Sequence, residues 1–183
     1  MARGLLVGLP AGLALLALLP GSGLAQDAAP PPAAQSIPAA CTAFDWPLLR
    51  EMAWFEAPGL ARVQSGDTVP GAMPGAVLAL KPVDAIAFPV APSRKPSPGS
   101  FGGVLTLPAP TAPGLYQITL SDEAWIDVSQ DGQTTRKPTA HTGKRDCPGL
   151  RKSLRYQLGT QPVTIEISNA RAESIKIAIA PAE

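Results

Sequence analysis

The sequence predicts a mainly β chain, an antiparallel β-sandwich or jelly roll of about eight strands with one N-terminal helix. Three observations predict it. Hydrophobic and polar residues alternate with a period of two in several short segments, as half-buried strands require. Proline is abundant, at 22 of 183 residues, and aromatic residues make up only 5%. That balance disfavours long helices and favours short strands joined by ordered turns. The length allows one ordinary domain with a real core.

The clearest alternation lies between Gly114 and Gly132. Leu115, Gln117 and Thr119 point one way, and Tyr116, Ile118 and Leu120 the other. Ser121-Asp122-Glu123 makes a polar corner. Trp125, Asp127 and Ser129 then alternate with Ala124, Ile126 and Val128. Asp131-Gly132 ends the run with a turn signal. We expect these two strands to be adjacent, with the remaining domain packed around them.

Residues 1–25 read as a secretory signal peptide: Arg3 in a short n-region, Leu5–Leu19 as the apolar h-region, and Gly23-Leu24-Ala25 before cleavage. The alternative is an uncleaved anchor, but Pro10, Gly12 and Pro20 interrupt the run, which falls short of the roughly 20 apolar residues of a spanning helix. Lipidation at Cys41 is disfavoured because the preceding residues are polar and Pro-rich. The Ala/Pro/Gly-rich leader points to a high-GC bacterium, and so to the periplasm or the exterior. Residues 26–40, QDAAPPPAAQSIPAA, form a Pro/Ala-rich linker too poor in bulky apolar side chains to offset the entropy of ordering it. Residues 41–183 are expected to be a single sandwich domain.

Within that domain, Cys41–Ala57 is the predicted helix. Asp45 is a candidate N-cap, Pro47 falls in the first turn, and Leu48, Met52 and Phe55 recur at helical spacing. Pro58-Gly59 stops it. Its aromatic residues, Trp46, Trp54 and Phe55, dock it on the sandwich, or one Trp lines a ligand groove. Gly59–Gly75 is irregular. Strands are expected at Ala76–Lys81, Asp84–Val90 and Phe101–Leu107, with Gly102-Gly103 marking a bulge or a close backbone approach. Ala91–Gly99 is an exposed Pro/Ser-rich loop. Gln133–Gly149 is a long polar stretch, followed by strands at Arg151–Leu158, Pro162–Ser168 and Ser174–Ala180.

The two cysteines, Cys41 and Cys147, read as a disulfide in an oxidising compartment. It would close most of the domain into one loop, worth about 4–5 kcal/mol in the chain-entropy model. The alternative, a metal or redox pair, lacks a C-x-x-C spacing and a neighbouring histidine.

Without the leader the chain has no net charge, since Arg3 is the leader's only charged side chain. Global electrostatics therefore argue neither for nucleic acid nor for a membrane surface. Locally the charges are segregated. Arg136, Lys137, Lys144, Arg145, Arg151, Lys152 and Arg155 are opposed only by Asp146, whereas Ser121–Asp131 carries Asp122, Glu123, Asp127 and Asp131 with no cation. The two spans either neutralise each other in the sheet or form solvated faces. If three of the cations converge, they make an anion site. Asp127, between Ile126 and Val128, needs a partner if half-buried. Arg155 or Lys152 is the expected one.

Catalytic signatures are missing from the sequence. His141, the only histidine, lies in a polar stretch with no companion ligands, so neither a metal site nor a cofactor is expected. There is no G-x-S-x-G and no S-x-x-K. The glycines around Ser100 lack the strand–turn–helix context of a nucleophile elbow or phosphate loop.

The run from Ser100 to Asp131, with Gly114-Leu115-Tyr116-Gln117-Ile118-Thr119-Leu120 and then Trp125-Ile126-Asp127-Val128, resembles the bacterial pre-peptidase C-terminal type of β-sandwich. The resemblance extends to the strands at Arg151–Leu158 and Pro162–Ala180. It implies a non-catalytic appendage of the kind found on secreted enzymes, some of which bind calcium or polymeric substrate. The acidic doublet of calcium-binding members is reduced here to Asp127.

The expected function is thus a periplasmic or secreted binding or accessory protein for a small anionic ligand or glycan. Its expected ligand-binding residues are Tyr116, Trp125, Asp127, Arg145, Arg151, Lys152 and Arg155. One alternative is a small hydrolase or metal-dependent enzyme using His141 and Asp127. Another is a cell-envelope assembly subunit docking through Pro-rich loops or a strand edge.

Overall fold

The computed structural model describes residues 37–183. The leader and residues 26–36 of the predicted linker lie outside the described residues. Among the described residues, ten strands form two sheets that face each other across an apolar core. They are β1 (Ala61–Gln64), β2 (Met73–Ala79), β3 (Lys81–Pro82), β4 (Phe101–Leu107), β5 (Gly114–Leu120), β6 (Trp125–Ser129), β7 (Ala140–Gly143), β8 (Lys152–Leu158), β9 (Val163–Ala170) and β10 (Ser174–Pro181). The larger sheet has the order β1-β2-β10-β5-β8-β7, and the smaller β3-β4-β9-β6. All pairings are antiparallel except β1 with β2. The predicted β-sandwich is therefore the observed architecture.

The core is built by the alternation read from the sequence. Ile118 and Leu120 from β5, Tyr156 and Leu158 from β8 and Ile177 and Ile179 from β10 meet Ile126 and Val128 from β6 and Ile165 and Ile167 from β9. Each such side chain contributes about 1.5–3 kcal/mol on leaving water. The expected close approach at Gly102 is present. A Cβ there would lie 2.5 Å from the Ile167 carbonyl oxygen, and the β4–β9 register shifts between Phe101 and Gly103.

Several expectations are corrected. β5 and β6 are not paired with each other, because Ser121–Ala124 carries the chain from one sheet to the other. Alternation dictates which side chains share a face, not which strand lies alongside. Cys41–Ala57 is not one helix. It divides into α1 (Ala39–Thr42) and α2 (Leu49–Glu56), and α2 begins after Leu48 without a side-chain cap. Pro47 disfavours helical backbone at Trp46, so the helix restarts beyond it. Ala39 and Ala40, assigned to the linker, belong to α1. Asp84–Val90 is not a strand. A single 3₁₀ turn at Val83–Ala85 leads into an irregular segment that lies on the smaller sheet. Two short strands arose in stretches expected to be irregular, β1 and β7, and the latter contains His141.

The two outer faces have different covers. On the larger sheet sit α1 and α2, with Cys41, Phe44, Trp46, Leu48 and Phe55 packed against Cys147, Leu150 and Ala178. The Cys41–Cys147 disulfide, bridging a separation of 106 residues, fastens this cover to the loop between β7 and β8. On the smaller sheet, the irregular segment between β3 and β4 lies over Glu166 and Asp127.

Candidate binding cleft

A cleft of about 750 Å³ opens where β6, the edge of the smaller sheet, approaches β7 and β8 of the larger one. β6 contributes Trp125, Ile126 and Asp127, and β7 contributes His141, Thr142 and Gly143. Arg151, Lys152 and Leu154 form the back, and the β6–β7 connection, Thr135–Pro138, forms one lip. That lip is held by the Arg136 N–H donating to the Val128 carbonyl (2.7 Å) and by an Arg136 guanidinium N–H donating to the Gln157 carbonyl (3.0 Å).

The β7–β8 loop supplies Lys144 and Arg151 and is braced from several sides. The Lys144 N–H donates to the Arg151 carbonyl (3.0 Å), and the Arg151 N–H to the Leu120 carbonyl (2.9 Å). Leu150 is fully buried, and Cys147 carries the disulfide. The Asp45 N–H donates to Thr142 Oγ1 (3.1 Å), tying the α1–α2 connection to β7. The basic loop is thus positioned by the cover of the opposite face.

Five cations line this cleft: Arg136, Lys137, Lys144, Arg151 and Lys152. Glu123 pairs with Arg151 (2.5 Å) and with Lys152 (3.1 Å). Burial would push its carboxyl up, but Lys152 and Arg151 outweigh that and hold it below the ordinary glutamate value. The neutralisation expected between the acidic and basic spans is therefore real, but partial. Among the described residues, Arg136, Lys137 and Lys144 make no salt bridge.

Asp127 has a different partner from the one expected. It faces outward from the smaller sheet, away from Arg155 on β8 of the larger sheet, and no cation pairs with it among the described residues. Ser93 donates to it through both its N–H (3.0 Å) and its hydroxyl, and the Trp125 indole N–H reaches Ser93 Oγ (3.0 Å) and Asp127 Oδ1 (3.3 Å). The guanidinium of Arg94 stacks 4.5 Å from the Trp125 ring centre. Trp125 is consequently fixed at the rim of the cleft by a hydrogen bond at its edge and a cation on its face.

Of the residues expected to bind ligand, the structure gathers Trp125, Asp127, Arg151 and Lys152 into the cleft. Arg145 lines a second, adjoining cavity of about 370 Å³ with Asp122, Glu123, Arg151 and Arg171. Two residues belong elsewhere. Tyr116 packs against the core at the far end of β5, opposite Tyr156 and Pro181. Arg155 points to the helix side. It stacks 4.3 Å from the Trp46 ring centre and donates to Gln117 Oε1 (3.4 Å) and the Glu183 carbonyl (2.8 Å). Period-two alternation explains this, since Arg155 and Lys152 are an odd number of positions apart and so face opposite sides.

His141 was expected as a solvated side chain in a polar loop; it is exposed, but it lies on β7 and lines the cleft. It hydrogen bonds to neither Asp127 nor Ser100, and the Ser100 hydroxyl donates to the Ser97 carbonyl. The nucleophile–base–acid chain that a hydrolase needs is not assembled among these residues. Among the described residues, no group of three or more His, Cys, Asp or Glu side chains is arranged to hold a metal ion.

Glu166 was missed altogether. It pairs in register with Asp127 across β9 and β6 and is buried under Val90, whose N–H donates to Oε1 at 2.8 Å. Oε2 has no hydrogen-bond partner. Burial raises its pKa most, the Val90 N–H counters that, and the charge of Asp127 raises it further. Its sequence signal was the one used for Asp127, a carboxylate flanked by Ile165 and Ile167 in an alternating run.

Among the described residues no helix is long and apolar enough to cross a membrane. A comparison of the chain with protein-family models returns no match, and a comparison with curated proteins returns none either.

Proposed function

We propose that this protein is exported to the periplasm or exterior and works there as a non-catalytic binding protein for an acidic ligand held in the β6–β7 cleft. The observation that carries the reading is the convergence of five cations beside Trp125, of which Glu123 offsets only two. A low-dielectric wall of Leu154 and Ile126 behind these cations strengthens their pull on an anion. Lys137 and Lys144 supply mobile point charges at the mouth, and Arg151 a forked donor at the back. Trp125, partly exposed in the cleft lining, offers the part of its ring that Arg94 does not cover to the uncharged part of the ligand. Export is supported by the leader pattern and by the disulfide, which persists in oxidising compartments. The likeness to pre-peptidase C-terminal sandwiches belongs to the same reading, that of an accessory domain without chemistry of its own.

The test is calorimetric titration with digalacturonate, with lactose as the uncharged control. We expect binding of digalacturonate alone, weakened about tenfold, or ~1.4 kcal/mol, in the Lys137→Glu/Lys144→Glu double variant. Added salt should weaken it as well. Equal binding of the two sugars, or a double variant with unchanged affinity, would overturn the reading.

A further inference from the structure

The main cleft and the smaller cavity share two wall residues, Glu123 and Arg151. They are therefore two chambers on either side of one ion pair. The smaller chamber brings Arg145 and Arg171 to Arg151 from separate parts of the chain, the β7–β8 loop and the β9–β10 turn. Arg145 and Arg171 make no salt bridge among the described residues. Together the chambers hold seven Lys and Arg side chains against Asp45, Asp122, Glu123 and Asp127. This excess sits on a chain that, without its leader, is neutral overall.

From this arrangement we propose that the ligand is an extended carboxylated glycan, a chain of uronic acid units, lying across both chambers and bridging them over Arg151. This rests on the reading of the main cleft as an anion site and names its ligand class. A small single anion in the main cleft would leave Arg145 and Arg171 unused. A polymer with charges at intervals uses both, and its second contact becomes intramolecular once the first has formed.

The chemistry of the walls favours uronate over polyphosphate. A phosphate chain has no hydroxyl donors and no apolar face, so it has nothing to offer Asp45 and Glu123 except like charge. A uronate ring carries one carboxylate for an arginine fork. Its hydroxyls can donate to the wall carboxylates, and its apolar ring face suits Trp125.

The experiment is calorimetry of the full domain with galacturonate oligomers of two, four and eight units, beside inorganic polyphosphate of matched length. We expect affinity to rise at least tenfold from the dimer to the octamer. Arg145→Ala/Arg171→Ala should abolish that gain while leaving dimer binding within twofold. Lys137→Glu/Lys144→Glu should weaken every length. If the octamer binds no tighter per site than the dimer, or the arginine variant keeps the gain, the two-chamber proposal is overturned while the cleft reading stands. Polyphosphate binding as tight as that of the matched glycan would overturn the uronate assignment. Polyphosphate binding with no glycan binding would overturn the uronate assignment alone, and failure of every glycan length and of polyphosphate to bind would remove the cleft reading itself. Unchanged thermal unfolding of each variant keeps these outcomes interpretable.

Discussion

The two outer faces of the sandwich bury carboxylates in opposite ways. Under the helical cover, Glu51 is 1% exposed and fully served. Its Oε1 accepts from Arg50 Nε (2.9 Å), Arg50 Nη2 (2.7 Å) and Gln117 Nε2 (2.7 Å). Under the irregular cover, Glu166 is 3% exposed and receives one backbone N–H, with Asp127 as its cross-strand neighbour. The difference follows from what each cover can bring. A helix turn places a long cation beside the buried acid, whereas the irregular segment turns its Arg94 onto Trp125 and gives Glu166 and Asp127 only backbone N–H groups and a serine. Burial first, and then the charge of Asp127, drive Glu166 towards its protonated form.

The largest expected effect comes from detaching the helical cover. Reduction of Cys41–Cys147 should cost about 4 kcal/mol in the chain-entropy model and leave the sandwich folded. Amide exchange should accelerate in α1, α2 and the β7–β8 loop, but not under the irregular cover. Equal melting temperatures with and without confirmed reduction would contradict this. Next, Glu51→Ala should cost about 3 kcal/mol, because it leaves the buried Gln117 amide without its acceptor and Arg50 with only its exposed partners, Glu183 and the Pro181 carbonyl. Asp127→Ala should cost about 2 kcal/mol in urea unfolding, since it leaves the Ser93 N–H and hydroxyl without their acceptor. Loss of the repulsion on Glu166 offsets part of that cost.

The smallest effect has the opposite sign. Glu166 has a raised value, so its contribution is fully present below the ordinary glutamate value of 4.5 and is lost as pH rises through the raised one. Glu166→Gln keeps the acceptor for Val90 and removes the second negative charge. It should therefore stabilise the protein by about 1 kcal/mol at neutral pH, with the gain vanishing near pH 4. A variant less stable than the parent at pH 7 would show that the irregular cover tolerates the charge. Glu123 runs the other way. Its value is lowered, so its contribution is present above 4.5 and is lost as pH falls through the lowered value.

The faces of the strands were legible because β5, β6, β8 and β10 alternate residue by residue, and the core takes one set. Partners were not legible, since Ser121–Ala124 looks the same as a hairpin corner or as a crossing between sheets. β7 was hidden for a physical reason. Ala140-His141-Thr142-Gly143 is an edge strand that owes its existence to β8 backbone groups rather than to its own apolar side chains. Asp84–Val90 misled because Ile86 and Phe88 alternate with small residues, yet they serve to cover Gly102 rather than to join a ladder.

For the site, Trp125, Asp127, Arg151 and Lys152 could be named from charge segregation and alternation. Arg155 was misplaced because a charge run carries no facing information until strand parity is applied to it. Ser93 carried no signal, since its role depends on a loop folding back over a strand far along the chain. Glu51 did carry one. It sits three residues after Leu48, within the very stripe that buries Leu48 and Phe55.

The three tryptophans divide between the two regions, with Trp125 at the cleft and Trp46 and Trp54 on the helical side. Their indole N–H signals are therefore a built-in reporter. The most direct measurement is a two-dimensional ¹⁵N NMR titration with digalacturonate. We expect saturable shifts of the Trp125 indole and of the His141, Lys144 and Lys152 amides, with the Trp46 and Trp54 indoles stationary. Shifts confined to Trp46 and Trp54, or no shift at Trp125 at saturating ligand, would contradict the cleft reading.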